Sequence, residues 1–369
     1  MSRFISNEEK VISDFSRICE RRGYSQYRMN KFEEYDLYVR NKDFLVSDSV
    51  ITFTDTSGKL MALKPDVTLS IIKNGKDIPG EIQKVYYNES VYRVSKHTHS
   101  FREITQVGLE AIGAVDEYTI YEVLRLACES LGAISQEYVL DISELDIIGK
   151  TVDMLGVSPE QRTTILKCIG EKNTHEIRRI CKDAGADSGV SEMLISLIGC
   201  ECSPEETVRR IRSFPEAESF SAELDRLGRI AALLSRSGFG NRVFIDFSVI
   251  NDMNYYSGIA FSGFVPGIPG SILSGGQYDR LMKKMNRRSS AIGFAVYLDM
   301  LELLGASPDF TDADTVLIYD ESTPPQKLMD AAESLGADGS RVLVLKKIPA
   351  GLRFRRLAQL TESGVIFRD

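Results

Sequence analysis

The sequence has no tryptophan, three histidines, six cysteines without a C-x-x-C pair, and no apolar run of membrane length. Each shortage removes a class of protein. The longest apolar stretches, such as Ala291–Val296 and Met193–Ile198, fall far short of the roughly 20 residues a bilayer helix needs, so nothing is expected to span a membrane. The segment Met1–Lys10 lacks the apolar core of a secretory signal, which makes the cytoplasm the expected location. Cys19, Cys128, Cys168, Cys181, Cys200 and Cys202 are too scattered for a disulfide framework and read as reduced thiols, mostly in the core. Positive charge is in deficit as well. The 45 Lys and Arg against 53 Asp and Glu leave a net charge of −8, a field that repels polyphosphates, so tRNA and DNA are not expected partners.

What is present is ample core material: 43% hydrophobic residues in 369, enough for two or three domains at about 100–200 residues each. Neither internal repeats nor low-complexity tracts occur, so the chain divides by changes of pattern. Glu8–Arg22 carries Val11, Ile12, Phe15 and Ile18 at helical spacing and stops at Gly23. Val50–Phe53 and Lys59–Leu63 predict two strands around a turn, and Lys84–Val94 with Phe101–Ile112 a second pair. Glu117–Leu131 reads as a helix capped by Gly132, and Tyr138–Ile142 as a strand. Residues 151–238 are helical almost throughout, with Ser158-Pro and Ser203-Pro as helix starts.

Strand signals return at Arg242–Val249, Tyr255–Val265 and Ser271–Ser274, and Ser290–Leu304 is expected to close the region as a helix. Beyond Pro308 the pattern is strand, helix (Pro325–Leu335), strand, helix (Leu352–Thr361), strand, which predicts a small parallel βαβαβ appendage. The expected organisation is an α+β core of residues 1–150 and 239–308, an antiparallel sheet flanked by helices. A helical insertion at 151–238 and a C-terminal domain at 309–369 complete it.

Three segments concentrate polar and aromatic residues within strand patterns: Leu63–Thr68, Val91–Glu110, and Asn251–Gly258 continuing to Ser274–Asp279. One face of a half-buried sheet is polar only where it meets water or a ligand. Alternation sets Gln106 and Glu110 on one face with Gly108 between them, a floor with acceptors for an ammonium group and no side chain in the way. Adjacent strand residues point to opposite faces, so one of Tyr255 and Tyr256 is expected in such a pocket, and Tyr256 is the choice.

These segments resemble, in order and content, the class II histidyl-tRNA synthetases and, more closely, their non-synthetase relatives, the regulatory subunits of ATP phosphoribosyltransferase. Leu63-Lys-Pro-Asp-Val-Thr68 is similar to L-R-P-E-x-T, Tyr92-Arg93 through Phe101-Arg102-Glu103 to motif 2, and Gln106–Glu110 to the H-Q-x-G-x-E strand. Asn254-Tyr-Tyr-Ser-Gly258 and Gly275-Gly-Gln-Tyr-Asp279 resemble D-Y-Y-T-G and G-G-R-Y-D, and Ala291–Ala295 resembles the start of motif 3. The similarity spans about residues 8–305. It implies a class II synthetase-like fold and a histidine site formed by Asp66, Thr68, Gln106, Glu110, Tyr255, Tyr256 and Tyr278.

The departures bear on activity. The arginine of R-G-L-D-Y-Y is Asn251, the arginine of motif 3's G-L-E-R is Met300, motif 2's F-R-x-E ends in Ser95, and motif 1's proline is Asn30. Activation of a carboxylate by ATP places negative charge on the α-phosphate, and each lost donor costs about 10²–10³ in rate. Arg93, Arg102, Asn251 and Met300 therefore mark a vestigial ATP site, with no catalytic residue, metal or cofactor expected.

The resemblance implies a non-catalytic subunit of the first enzyme of histidine biosynthesis. It would pair with a short-form catalytic subunit, answer to L-histidine as effector, and form a homodimer within a hetero-oligomer. The alternatives are a histidyl-tRNA synthetase and a synthetase-like histidine-binding paralogue with another partner.

Plainer readings stand beside these. Asp66 also suits a turn that caps backbone amides, Arg93 and Arg102 suit structural ion pairs, and each tyrosine suits a core position with a satisfied hydroxyl. His97 and His99 lack a third ligand for zinc, and Cys200 and Cys202 read as thiols. The basic cluster Lys346, Lys347, Arg353, Arg355 and Arg356 lies in a tail of 8 basic and 9 acidic residues, where a solvated face is the better expectation than RNA binding.

Overall fold

The structure is a computed structural model that describes residues 7–41, 50–75, 78, 80–95, 98, 100–199, 202–250, 255–304, 311–361 and 364–368. It divides into two compact units, one of residues 11–303 and a smaller one built on residues 304–369. Asn251, Asn254, His97, His99 and Cys200 lie outside the described residues, as do 305–310, where the appendage was expected to begin.

The opening helix α1 (Asn7–Glu20) turns Val11, Phe15 and Cys19 inward at spacings of four. Phe15 meets Tyr86 and Phe294 edge-on at 6.4 and 6.0 Å, contacts that add to the burial of its ring. The short β1 (Ser25–Gln26) is followed by β2 (Phe32–Glu34), α2 (Tyr35–Arg40), β3 (Thr52–Thr54) and β4 (Leu60–Leu63). The last three strands form a small sheet in the order β2-β4-β3. Helix α3 (Thr68–Asn74) leads to the long hairpin of β5 (Ile82–Val94) and β6 (Phe101–Gly113), paired residue for residue from Ile82 with Gly113 to Val94 with Phe101.

Helix α4 (Glu117–Ile134) begins on an Asp116 cap and runs through Gly132, so the glycine expected to end it is interior. Next come β7 (Val139–Glu144), α5 (Leu145–Met154), α6 (Pro159–Gly170), α7 (Thr174–Ala184), α8 (Ser188–Ile198), α9 (Pro204–Arg212) and α10 (Ser221–Leu234). Ser158 and Ser203 cap α6 and α9, the former as a full capping box with Gln161. The helical run starts at Leu145, ahead of the expected residue 151.

After β8 (Val243–Ile245) come β9 (Ile259–Phe264), β10 (Leu273–Gln277), α11 (Asp279–Lys284) and β11 (Ser290–Tyr297). The eight-stranded sheet has the order β1-β5-β6-β11-β10-β9-β7-β8, antiparallel except at its two edge pairs. The helix expected over Ser290–Leu304 is therefore a central strand followed by a 3-10 turn at Leu298–Leu304. Short apolar runs carry either periodicity, and here pairing with both β6 and β10 decides for the strand. No helix among the described residues is long and apolar enough to cross a membrane.

The smaller unit holds β12 (Ala313–Ile318), α12 (Pro325–Gly336), β13 (Val342–Leu345), β14 (Phe354–Thr361) and β15 (Gly364–Arg368), with sheet order β13-β12-β14-β15. The expected second helix at Leu352–Thr361 is strand β14, parallel to β12 and antiparallel to β15, so the unit is not βαβαβ. Three of the five residues of its basic cluster have side-chain partners within the unit. Lys346 pairs with Glu321 at 3.1 Å, Arg355 lies 3.8 Å from Asp314, and Arg356 stacks 5.6 Å from the Phe367 ring centroid.

Candidate functional site

The strand register defines the floor of the site. Cross-strand partners share a face, so Tyr87, Gly108, Ala295 and Ser274 form one row across β5, β6, β11 and β10, and Glu110, Gly293 and Gly276 the next. Gln106 and Tyr297 form a third. Glycines thin this floor. A Cβ on Gly276 would lie 2.7 Å from the Tyr256 ring, and one on Gly293 would strike the Glu110 carboxylate. The space above Gly108 is filled by the Tyr87 hydroxyl, so this glycine makes room for a tyrosine.

Over the floor lies a cavity of about 250 Å³. Asp66, Thr68, Gln106, Glu110, Tyr255, Tyr256 and Tyr278, all seven residues expected to bind histidine, line it together with Arg93. Tyr87, Ser271, Ser274 and Tyr297 complete the wall and were not singled out from the sequence. Tyr297 closes an apolar run that reads as helix or strand, and its face and that of Ser274 are set by their pairings with Gln106 and Ala295.

Both Tyr255 and Tyr256 face the cavity, which corrects the expectation that only one would. They precede β9 in a turn, where strand alternation does not apply, and their rings meet edge-on at 4.8 Å. Tyr278 closes the group 6.1 Å from Tyr255.

Glu110 is the electrostatic centre. Thr68 Oγ1 donates to its Oε1 at 2.7 Å and the Tyr278 hydroxyl to its Oε2 at 2.5 Å. Burial nevertheless dominates these two stabilising bonds and, with the nearby Asp66 charge, pushes the carboxyl up to about 8. Asp66 is raised too, chiefly by burial, against the Leu69 amide that donates to its Oδ1 at 2.9 Å and the Arg93 charge. Asp66 thus accepts a backbone amide in the turn before α3, as its plainer reading has it, and also stands in the cavity wall. Burial likewise raises the Tyr87, Tyr255 and Tyr278 hydroxyls well above their ordinary range, so they act as neutral donors and acceptors.

The cavity sets two raised carboxyls and neutral hydroxyls against one cation, Arg93, and so can take further positive charge. A ligand bearing an ammonium group supplies it and restores the carboxylates to their ionised form.

Of the residues expected to mark a nucleotide site, Asn251 lies outside the described residues and, of the other three, Arg93 alone lines the cavity. Arg93 lines the cavity and donates from Nε to the Pro65 carbonyl at 3.3 Å. Its cross-strand partner Arg102 is exposed and lies off the cavity wall, and Met300, half-buried in the turn after β11, is off it as well. Among the described residues no group of three His, Cys, Asp or Glu is placed to hold a metal ion. Cys19, Cys128, Cys168 and Cys181 are buried thiols.

A mostly antiparallel sheet backed by helices, with an amino-acid-sized cavity on its open face, is the class II aminoacyl-tRNA synthetase fold. Residues 3–301 match the family model for histidyl-tRNA synthetase, and the chain belongs to that family. Its sequence is 27% identical over 303 residues to the ATP phosphoribosyltransferase regulatory subunit of Oceanobacillus iheyensis, covering 80% of this chain and 74% of that protein. The fold is similar to an ATP phosphoribosyltransferase regulatory subunit/histidyl-tRNA synthetase from Bacillus halodurans, with a TM-score of 0.71 at 20% identity over 92% of this chain and 88% of that one. It is also similar to a chain of the ATP phosphoribosyl transferase (HisG:HisZ) complex from Thermotoga maritima, with a TM-score of 0.61 at 21% identity over 78% and 96%.

Proposed function

We propose that this chain is a non-catalytic regulatory subunit of ATP phosphoribosyltransferase. In this reading it binds L-histidine in the cavity of Asp66, Thr68, Gln106, Glu110, Tyr255, Tyr256 and Tyr278, and activates and feedback-regulates a short-form catalytic subunit. The observation that carries the reading is an intact amino-acid wall beside a depleted nucleotide side. Seven polar and aromatic groups converge on one cavity, whereas two positions that the resemblance assigns to arginines of the nucleotide side hold Asn251 and Met300.

Acyl activation needs cations where phosphate charge develops, and the chain has Met300 and Asn251 at the positions the resemblance assigns to arginines. The similarity to proteins named as regulatory subunits supports the same conclusion. The ammonium group meets Glu110, Asp66 and Gln106, and the imidazole lies among the three tyrosines. Histidine then acts through its differential affinity for two arrangements of a cytoplasmic hetro-oligomer containing a homodimer of this chain. The helical insertion of residues 151–238 and the domain of 309–369 complete the synthetase-like core of 1–150 and 239–308.

The test is to add the purified chain to a short-form ATP phosphoribosyltransferase catalytic subunit from the same source and follow phosphoribosyl-ATP formation. Activation that histidine suppresses is the expected result. Absence of both activation and complex formation overturns the reading, and histidine-dependent ATP–pyrophosphate exchange in its place would identify an active histidyl-tRNA synthetase.

A further inference from the structure

Tyr255 and Tyr256 belong to the connection from β8 to β9, and described residues at both of its ends are held by side chains of the helical segment α6–α10. At the start, Lys172 in the turn between α6 and α7 pairs with Asp246 at 2.7 Å. Gly170, the last residue of α6, faces Ile250, whose Cγ1 lies 3.6 Å from the position a Cβ would take. Asp246 is itself fixed, donating its amide to the Ile142 carbonyl of β7 at 3.0 Å and accepting the Ser248 amide at 2.8 Å.

At the other end, Arg226 of α10 donates from Nη2 to Oε2 of Glu144 at 2.5 Å, where β7 ends. The same Nη2 lies 3.4 Å from the Cβ position of Gly258, whose φ of +68° suits glycine and whose carbonyl accepts the Leu145 amide at 2.8 Å. Gln277 completes the anchor. Its carbonyl accepts the Ser257 amide at 2.8 Å and its side-chain Oε1 the Ile259 amide at 3.1 Å.

The two ion pairs differ in kind. Glu144 has a fully buried side chain, and a buried carboxylate that loses its partner is strongly penalised, so Arg226 is a firm anchor. The Lys172 side chain is half exposed, and such a pair is soft and easily reset.

We propose that the helical segment positions the tyrosine wall of the cavity through Lys172 and Arg226, so that an amino acid bound against Tyr255 and Tyr256 and the placement of α6–α10 are coupled. Coupling of this kind is reciprocal: whatever moves the helices changes amino-acid affinity, and the ligand changes the helices by the same factor. The inference rests on the reading of the cavity as a histidine site. It makes Lys172 and Arg226 positioning residues that touch no ligand.

The test is amide hydrogen exchange with calorimetric histidine titration on the full chain, comparing wild type, Lys172→Met, and Arg226→Met combined with Glu144→Gln so that no buried charge is stranded. Without ligand, the double variant should exchange about tenfold faster at Ser257 and Ile259 while Val107 and Leu109 in β6 stay protected. With histidine, the wild type should show slowed exchange across residues 168–177. Both variants should lose that response while still binding histidine. If the double variant does not fold, Lys172→Met decides, since the Lys172 side chain is half exposed. Histidine binding to wild type without a response at 168–177, or a response that Lys172→Met leaves intact, overturns the coupling. If wild type binds no histidine, the amino-acid reading falls and takes the coupling with it, a result distinct from binding without response.

Discussion

The hydroxyl of Tyr278 donates to the carboxylate of Glu110 at 2.5 Å, a bond that joins residues 168 apart in sequence across the cavity floor. It ties α11, which Tyr278 precedes, to the interior strand β6 of the sheet, and it sits on a carboxyl that burial holds up to about 8. Below its ordinary value of 4.5 Glu110 is protonated in folded and unfolded chains alike. Between there and about 8 the unfolded chain has ionised and the folded one has not, so rising pH favours unfolding across that window.

Glu110→Gln removes this slope. The stability of the variant relative to wild type should rise by about 3.5 kcal/mol between pH 5 and pH 8 in the absence of ligand, read by denaturant unfolding at the two values. Parallel pH profiles for the two proteins would show that Glu110 is not held protonated. The same variant should bind histidine more weakly, because the ionised acceptor for the ammonium group is gone.

Gly293 lies directly under the Glu110 carboxylate, and a Cβ there would also approach its Cδ to 2.6 Å. Gly293→Ala should destabilise by about 1–3 kcal/mol and displace Glu110 enough to weaken ligand binding. Thermal unfolding and titration calorimetry measure both effects. A variant as stable as wild type with full affinity would show that the floor yields.

Lys64, next to the Pro65–Asp66 turn, has a fully buried side chain paired to Glu89 at 2.7 Å. Burial draws its ammonium below the usual range while Glu89 opposes the shift. Lys64→Met should cost about 3–5 kcal/mol by stranding Glu89, and Lys64→Met with Glu89→Leu should recover most of it. Equal losses in the single and double variants, followed by urea unfolding, would mean that the lysine matters for packing alone.

Arg93 and Arg102 are cross-strand partners with different surroundings, one in the cavity wall and one in solvent. Arg93→Ala should change histidine affinity several-fold, whereas Arg102→Ala should leave affinity unchanged and stability within about 0.5 kcal/mol. An effect at Arg102 equal to that at Arg93 would count against the cavity as the binding site.

Much of this site is written in local pattern. Gln106 and Glu110 stand in a short motif whose alternation places them on one strand face, as the register does, and Asp66 follows Pro65 in the turn before α3. The caps at Ser158 and Ser203 are equally local, since a serine before Pro at the first helical position needs only its own next turn.

Other features depend on partners far away in sequence. The apolar run Ser290–Tyr297 and the mixed segment Phe354–Thr361 are compatible with helix or strand, and each is a strand because two neighbouring strands satisfy its backbone. Tyr255 and Tyr256 share one cavity because they lie in a turn, and Tyr87, Ser274 and Tyr297 join them only through pairings that bring β5, β6, β10 and β11 side by side. The sequence alone determined which groups have the chemistry to hold an amino acid. The tertiary structure decided which of them face a common space and how strongly burial shifts their protons, because register and desolvation are properties of packed neighbours and not of any one segment.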